Sequence, residues 1–332
     1  MTAPLTYVAI DGGNSKTHVV VGDTDGRILG FARGPGSSPH HLGLPGAIAL
    51  LDSLVAQALS AADRAGTVPD RAEVYLSGAD LPVEVDLLSK AVGEAGWARE
   101  HRVDNDLFAL VRAGTSNPDA VAVVCGAGIN CVGRTADGRV TRFLSLGQLS
   151  GDWGGGQHLA ELALWHAARG EDGRGPATAL GAAVTAHFGL STVVDVSAGL
   201  HLGELDRDRI TALCPVLFEV ATAGDPVARE VVAEQAREVV ALVTVAARRL
   251  ALLDRKPAVV LGGSVLAARH PLLHDAVLAG IQAAAPGASV RLVSDPPVAG
   301  AALLALDALG ATTPALDAAV RTALRTAAVP SP

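Results

Sequence analysis

The chain has 332 residues, 49% of them hydrophobic and 18% charged, with a formal net charge of −8. A length beyond the usual limit of one growing core predicts two lobes with a cleft between them. The acidic balance, with no Lys/Arg cluster, excludes nucleic acid and anionic lipid as partners and leaves a small molecule. No run of about 18 uncharged apolar residues is present and Met1 to Tyr7 lack a basic segment followed by an apolar run, so a cytoplasmic protein without a membrane partner is expected.

In chain order, an apolar run from Tyr7 to Ile10 meets Asp11-Gly12-Gly13-Asn14-Ser15-Lys16, continues from Thr17 to Val21, turns at Asp25-Gly26-Arg27 and resumes from Ile28 to Phe31. A helix is predicted over 47–64, a strand over 72–76, a helix over 83–95, a short strand over 101–103 and a helix over 107–113. Gly, Thr, Ser, Asn and Pro cluster from Gly114 to Asp119, where a lobe boundary is placed. The opening pattern then repeats. Ala120 to Val124 meets Cys125-Gly126-Ala127-Gly128-Ile129-Asn130, passes Cys131 and Val132, turns at Asp137-Gly138-Arg139 and runs on to Phe143. Each copy reads as strand, Gly-rich turn, strand, Asp-Gly hairpin and strand, a duplicated β-meander. Glycines in the first turn admit positive φ and let backbone N–H groups approach a ligand, which suits phosphate. Helices are predicted over 157–168, 177–188, 210–222 and 226–253, the last with Pro226 at its start. A buried strand over 259–261 runs into Gly262-Gly263-Ser264, followed by a helix over 271–284, a strand over 290–293 and helices over 298–309 and 316–327. Strands alternating with helices imply α/β architecture in each lobe. Cys125, Cys131 and Cys214 form neither an even disulfide framework nor a C-x-x-C signature and are read as structural.

The segments Asp11 to Thr17, Asn105-Asp106, Gly126 to Asn130, Gly151-Asp152, Gly262-Gly263-Ser264 and Val298-Ala299-Gly300-Ala301-Ala302 stand in an order that resembles the BadF/BadG/BcrA/BcrD ATPase family, which includes N-acetylglucosamine kinase. The resemblance covers nearly the whole chain. It implies the two-lobed actin/hexokinase/heat-shock chaperone ATPase fold, with duplicated ribonuclease-H-like domains. The lobes are expected at 1–116 and 117–314, the second with helical insertions and a C-terminal helix at about 315–328 packing back on the first.

The resemblance also implies ATP, Mg²⁺ and a sugar as ligands. Asp11 would face the metal while Gly12, Gly13, Asn14, Ser15 and Lys16 meet the phosphates. Asp106 would accept the proton of the sugar hydroxyl, in preference to Asp104. Gly126, Ala127 and Gly128 would hold phosphate from the second lobe, Gly262, Gly263 and Ser264 the nucleoside, and Ile129, Asn130, Gly147 and Asp152 the sugar, with Asp152 also near the metal. Four positions depart from the family. Relatives acting on N-acetylglucosamine carry hydroxyl residues where Ala127 and Ile129 stand, an acidic residue where Trp153 stands, and an Asn where Pro39 stands. His40 beside Pro39 is a candidate sugar contact. A metal role for His40 and His41 is set aside, because no further ligands cluster at suitable spacing in the sequence. Asp80, in Ser77-Gly78-Ala79-Asp80, either supports the site or caps the next helix. Gly151 to Gly156 lacks the surrounding unit of a dinucleotide fingerprint.

The expected activity is phosphorylation of an amino sugar, N-acetylglucosamine to its 6-phosphate, with glucosamine or another hexose as the alternative. A further alternative is an ATPase activator of a 2-hydroxyacyl-CoA or benzoyl-CoA reductase-type system, which would need exposed cysteines for an iron–sulfur cluster. A homodimer is carried as a candidate by analogy with relatives, among which dimerisation through one lobe is common.

Overall fold

A computed structural model describes residues 3–327, so residue 328 of the expected C-terminal helix lies outside the described residues, as do Met1 and Thr2. The elements in chain order are β1 (Thr6–Gly12), β2 (Lys16–Asp23), β3 (Ile28–Pro35), α1 (Pro39–Ala61), β4 (Arg71–Leu76), α2 (Pro82–Ala95), β5 (Glu100–Asn105), α3 (Asp106–Gly114), β6 (Ala120–Cys125), β7 (Ile129–Arg134), β8 (Val140–Arg142), α4 (Gly156–Glu171), α5 (Leu180–Phe188), α6 (Val193–Leu202), α7 (Leu213–Thr222), α8 (Pro226–Arg249), β9 (Ala258–Gly262), α9 (Ser264–Ala267), α10 (Pro271–Ala284), β10 (Ser289–Leu292), α11 (Pro297–Ala308) and α12 (Pro314–Ala327). Short 3₁₀ turns occupy Gly147–Ser150 and Arg207–Ala212.

Two sheets of five strands result, in the orders β3-β2-β1-β4-β5 and β10-β9-β6-β7-β8. Read from the third strand of each meander, the two orders are the same, so the repeat seen in the sequence is a repeat of topology. The chain divides into two compact units, one running to Ala120 and resuming at Val293, the other Val121–Leu292. The return to the first unit therefore comes earlier than the expected residue 315. The reason is α11, which is buried from Val298 to Leu303 and packs on β1, β4 and α3.

In the first unit β1 pairs antiparallel with β2 and parallel with β4, which pairs parallel with β5. The carboxyl ends of three parallel strands thus lie side by side, with Asp11 beside Tyr75 and Leu76 beside Asn105. That edge of an open α/β sheet is where ligands bind. α1 starts at Pro39, eight residues before the predicted helix, and is broken at Gly43 (φ 68°) just before Pro45. Its length and composition alone would suffice to cross a membrane. Yet Ala47, Leu51, Leu54, Val55 and Ala58 are buried, and the helix packs on β2 and β3, so its apolarity serves the core.

The return segment is fastened by charge. Arg112, buried on α3, donates to Asp307 of α11 at 2.8 Å and to Asp317 of α12 at 2.6 Å, and Arg321 of α12 pairs with Asp295 at 2.8 Å and donates to the Arg112 carbonyl oxygen at 2.9 Å. The second unit is built on α8, whose buried Val227, Val231, Gln235, Val239, Val243 and Ala246 recur at three- and four-residue spacing. Asp225 caps it, accepting from the Ala228 amide at 2.9 Å with Pro226 following.

Candidate active site

The first unit places Asp11 at the end of β1, buried, with Gly12 to Ser15 forming the tight turn into β2 and Lys16 exposed at the start of that strand. The Gly13 amide donates to the Lys16 carbonyl at 2.9 Å, and the Ser37 and Ser77 amides donate to the carbonyls of Gly13 and Gly12 at 3.1 and 2.8 Å. Position 12 is tightly enclosed: a Cβ there would lie 2.5 Å from Leu76 Cδ2 and closer still to Ser37 Oγ, so both side chains would have to move to admit it. The hydroxyls of Ser37 and Ser38 and both ring nitrogens of His18 are buried near this turn with no hydrogen-bond partner. His18 Nδ1 lies 4.0 Å from the Asp11 carboxylate. Burial, helped by the charges of Lys16 and Arg33, lowers the His18 pKa to about 4 and keeps it neutral.

Asp106 opens α3, one residue after the cap Asn105, whose Oδ1 accepts from the Leu107 amide at 3.0 Å. Asn105 Nδ2 in turn donates to Asp80 Oδ1 at 2.8 Å. Burial, with the like charges of Asp11 and Asp80, pushes the Asp106 carboxyl up to about 7. Burial likewise raises Asp11 to about 7, against the opposing pull of Lys16. The fold therefore brings the charges of Asp11 and Asp80 to bear on Asp106 at the carboxyl ends of β1, β4 and β5. Three close carboxylates, two with a pKa near neutrality, suit a cation and a proton acceptor. Asp104 instead turns to Arg102, at 3.0 Å, and to the Asn105 amide, at 2.8 Å.

In the second unit three glycine turns meet. The 126–128 turn follows β6, and Gly156 and Gln157 donate to the carbonyls of Gly126 and Ala127 at 2.7 and 3.1 Å. A Cβ on Gly155 would lie 2.6 Å from Gly128 Cα, and one on Gly263 would lie 2.7 Å from the Gly126 nitrogen, both at positive φ. Gln235, fully buried on α8, accepts from the Gly155 amide at 2.9 Å and pins that loop. The run from Gly154 to Gly156, a poor dinucleotide motif by sequence, thus shapes the turn before α4.

Beside these turns lies a cavity of about 760 Å³ lined by Gly126, Ala127, Ser264, Cys214, Phe218 and His270, among others. Phe218 and His270 stand 4.7 Å apart, ring to ring, and His270 Nε2 is 2.8 Å from Thr222 Oγ1. Of the predicted Gly262, Gly263 and Ser264, Ser264 lines this cavity, together with Phe218, Thr222 and His270, which the sequence did not single out. Their only signal was an aromatic and a hydroxyl four residues apart on one helix.

A second cavity of about 330 Å³ is lined by Ile129, Gly147, Asp152, Gln157, His158 and Glu161, among others. Asp152 accepts from Ser150 Oγ at 2.6 Å. Asn130 is buried, and its Oδ1 accepts from the Cys131 amide at 2.7 Å. Trp153 packs against the core and meets His158 edge-on at 5.1 Å, the core-anchor role. His40 lies in the first unit, 2.9 Å from Glu84. All three cysteines are free and buried, and burial pushes the Cys125 and Cys214 thiols up to about 12 and about 11. None is placed to hold an exposed cluster.

The chain is 26% identical over 313 residues, 91% of its length and 98% of the relative's, to N-acetyl-D-glucosamine kinase of Dictyostelium discoideum. It is 24% identical over 260 residues, 78% of its length and 85% of the relative's, to N-acetylmuramic acid/N-acetylglucosamine kinase of Clostridium acetobutylicum. Among solved structures, a Chromobacterium violaceum protein described as a candidate N-acetylglucosamine kinase matches with a TM-score of 0.69 at 20% identity, covering 91% of this chain and 99% of that one. A ROK family glucokinase from Streptomyces griseus, in complex with glucose and AMPPNP, matches at 0.51 and 19%, covering 92% and 100%. These likenesses are of fold, that of the two-lobed actin-like ATPases. The sequence pattern of the BadF/BadG/BcrA/BcrD ATPase family spans residues 8–305, and the chain belongs to that family.

Proposed function

We propose that the protein is an ATP-dependent sugar kinase, with N-acetylglucosamine as its first candidate substrate. The observation that carries the reading is the carboxylate group formed by Asp11 and Asp106 at the carboxyl edge of the first sheet, in a chain whose curated relatives are N-acetylglucosamine kinases. The second unit supports it with a cavity large enough for a nucleoside beside glycine turns packed so closely that a Cβ on Gly155 or Gly263 would strike neighbouring backbone.

The residues present fit Mg²⁺: a buried, hard carboxylate oxygen at Asp11, not otherwise paired at hydrogen-bond distance, and amides of the adjoining turn for phosphate. When bound, Mg²⁺ neutralises charge on the transferring phosphoryl group. Asp106 has the role of general base. Its proton affinity, poised near 7, lets it take the hydroxyl proton as the oxygen attacks phosphorus. Asn105 fixes its backbone, and Asp80 holds Asn105. Gly126 to Gly128 and Gly263 present main chain to the nucleotide, and Phe218 and His270 flank the base. Asp152 and the main chain at Ile129 are assigned to sugar hydroxyls. A hydroxyl at 127 or 129 is absent, so recognition of the sugar there falls to backbone groups. The buried state of all three cysteines weighs against the activator reading.

A coupled ADP-release assay over N-acetylglucosamine, glucosamine, N-acetylmannosamine, glucose and no sugar tests the proposal beside Asp106→Asn. Sugar-dependent turnover that is lost in the variant is expected. Turnover indifferent to sugar would refute the kinase reading.

A further inference from the structure

We propose that His40, Asp80 and Glu84 form a binding site for a divalent transition metal, of which Zn²⁺ is the type ion, at the N-terminal ends of α1 and α2. One ligand atom from each of the three lies within 4.8 Å of the other two. The residues come from three separate places: the first turn of α1, the loop after β4, and the first turn of α2. A sequence scan for ligands near His40 and His41 could not see this, because the partners stand about 40 residues downstream and only the fold brings them back.

The carboxylates are held in place before any ion arrives. One oxygen of Glu84 accepts from the amides of Asp80 and Leu81 at 3.0 and 2.8 Å, which points the other toward His40 Nε2 at 2.9 Å. The Asp80 carboxylate accepts from Asn105 Nδ2 at 2.8 Å. Such outer-shell donors fix ligand direction, and they are what a metal site needs beyond its ligands. The imidazole is the more exposed ligand: its side chain is 48% exposed, against 24% for Glu84. Bonds of about 2.0–2.2 Å require the three atoms to draw together slightly, a movement available to an exposed histidine on the first turn of a helix.

Ligand chemistry sets the ion. One imidazole nitrogen with two carboxylate oxygens favours Zn²⁺ and its first-row neighbours, whereas Mg²⁺ prefers an all-oxygen shell and keeps its waters. The site is thus chemically separate from the place assigned to Mg²⁺ at Asp11. Occupancy would replace the His40–Glu84 hydrogen bond by metal bonds that clasp the starts of α1 and α2. It would also offset the charge of Asp80, whose field Asp106 feels directly. The proposal stands independently of the phosphotransfer reading, since it concerns binding.

Calorimetric titration of the chelator-treated full chain with Zn²⁺, in about 10 mM Mg²⁺, tests it. One Zn²⁺ per chain is expected, with a rise in melting temperature that grows with Zn²⁺ concentration. His40→Ala should weaken the affinity roughly tenfold or more. Glu84→Gln, which retains a carbonyl acceptor for the two amides, should weaken it in the same direction, and His41→Ala should leave it unchanged. Equal affinity in wild type and His40→Ala, or displacement of Zn²⁺ by the Mg²⁺, would overturn the proposal and leave His40–Glu84 as a plain hydrogen-bonded contact.

Discussion

Gly300→Ala sets two effects of opposite sign against each other. In a helix interior, alanine is favoured over glycine by about 1 kcal/mol, so an unobstructed substitution should stabilise α11. The packing argues otherwise. A Cβ at 300 would lie 2.6 Å from the Ala113 nitrogen and closer still to the Ala109 carbonyl oxygen, both backbone atoms of α3. Ordinary contact needs about 3.5 Å, so relieving the closer of these requires α3 and α11 to part by more than about 1 Å, and overpacking of this kind costs about 1–3 kcal/mol or more. α3 begins with Asp106, so the displacement is transmitted to the proposed base. A misplacement of about 1 Å at a reacting group costs on the order of 10²-fold in rate. Thermal melting and the sugar-dependent ADP assay, run on the same preparation, read both. The expected result is a melting temperature lower by several degrees together with a large fall in kcat. Gly181→Ala on α5 is the control, since a Cβ there meets only Val193 Cγ2 at 4.0 Å. It should be neutral or stabilising. A Gly300→Ala protein as stable and active as the parent would refute the close-approach argument and the link from α11 to Asp106.

Three further outcomes follow from the same structure. Arg112→Ala removes one of the partners of Asp317, which keeps Arg321 and Ser116, and frees half-exposed Asp307, so urea denaturation should show a loss of about 1.5–3 kcal/mol, the usual worth of hydrogen bonds to charged groups. Asp106 must be deprotonated to act, so kcat should rise with pH and level off above about 7. Stability of the Mg²⁺-free protein should move the other way. Asp11 and Asp106, with folded pKa values of about 7 against an ordinary 3.8, retain protons that the unfolded chain releases, so their contribution is full below about 4 and is lost as pH rises through 7. Chemical denaturation from pH 4 to 8 checks the sign, and a shallower slope in Asp106→Asn, with the share of Asp11 remaining, checks the assignment. Ala268→Trp, at an exposed position lining the larger cavity, should raise the KM for ATP by about tenfold or more, equivalent to roughly 1.4 kcal/mol, with little change in melting temperature.

Local grammar made much of the fold legible. The two Asp-Gly hairpins and the apolar runs beside them identify β1 to β3 and β6 to β8, because alternation and turn chemistry act within a few residues. Pro226 marked the start of α8 for the same reason. What was missed depends on distance. α6 follows Gly189 with only Thr192 and Asp195 as its cap, and its burial against α4 and α5 is invisible in a ten-residue window. The return at Val293 is set by α11 lying on β1, nearly 300 positions apart in sequence. At the candidate site, Asp11 and Asp106 were readable as acids at strand ends. Phe218, His270 and Gln235 were not, since each acts through a neighbour from another element.

The split first unit bears on the order of synthesis. Domains ordinarily fold from the N-terminus as the chain emerges, but here β1 to β5 and α3 come first and lack the helix that covers β1 until residues past Val293 have been made. The intervening unit, Val121–Leu292, is continuous and has its full sheet by Leu292. It can close while the earlier strands still wait. A pause in translation just before α11 should therefore leave a chain whose middle resists protease and whose beginning does not.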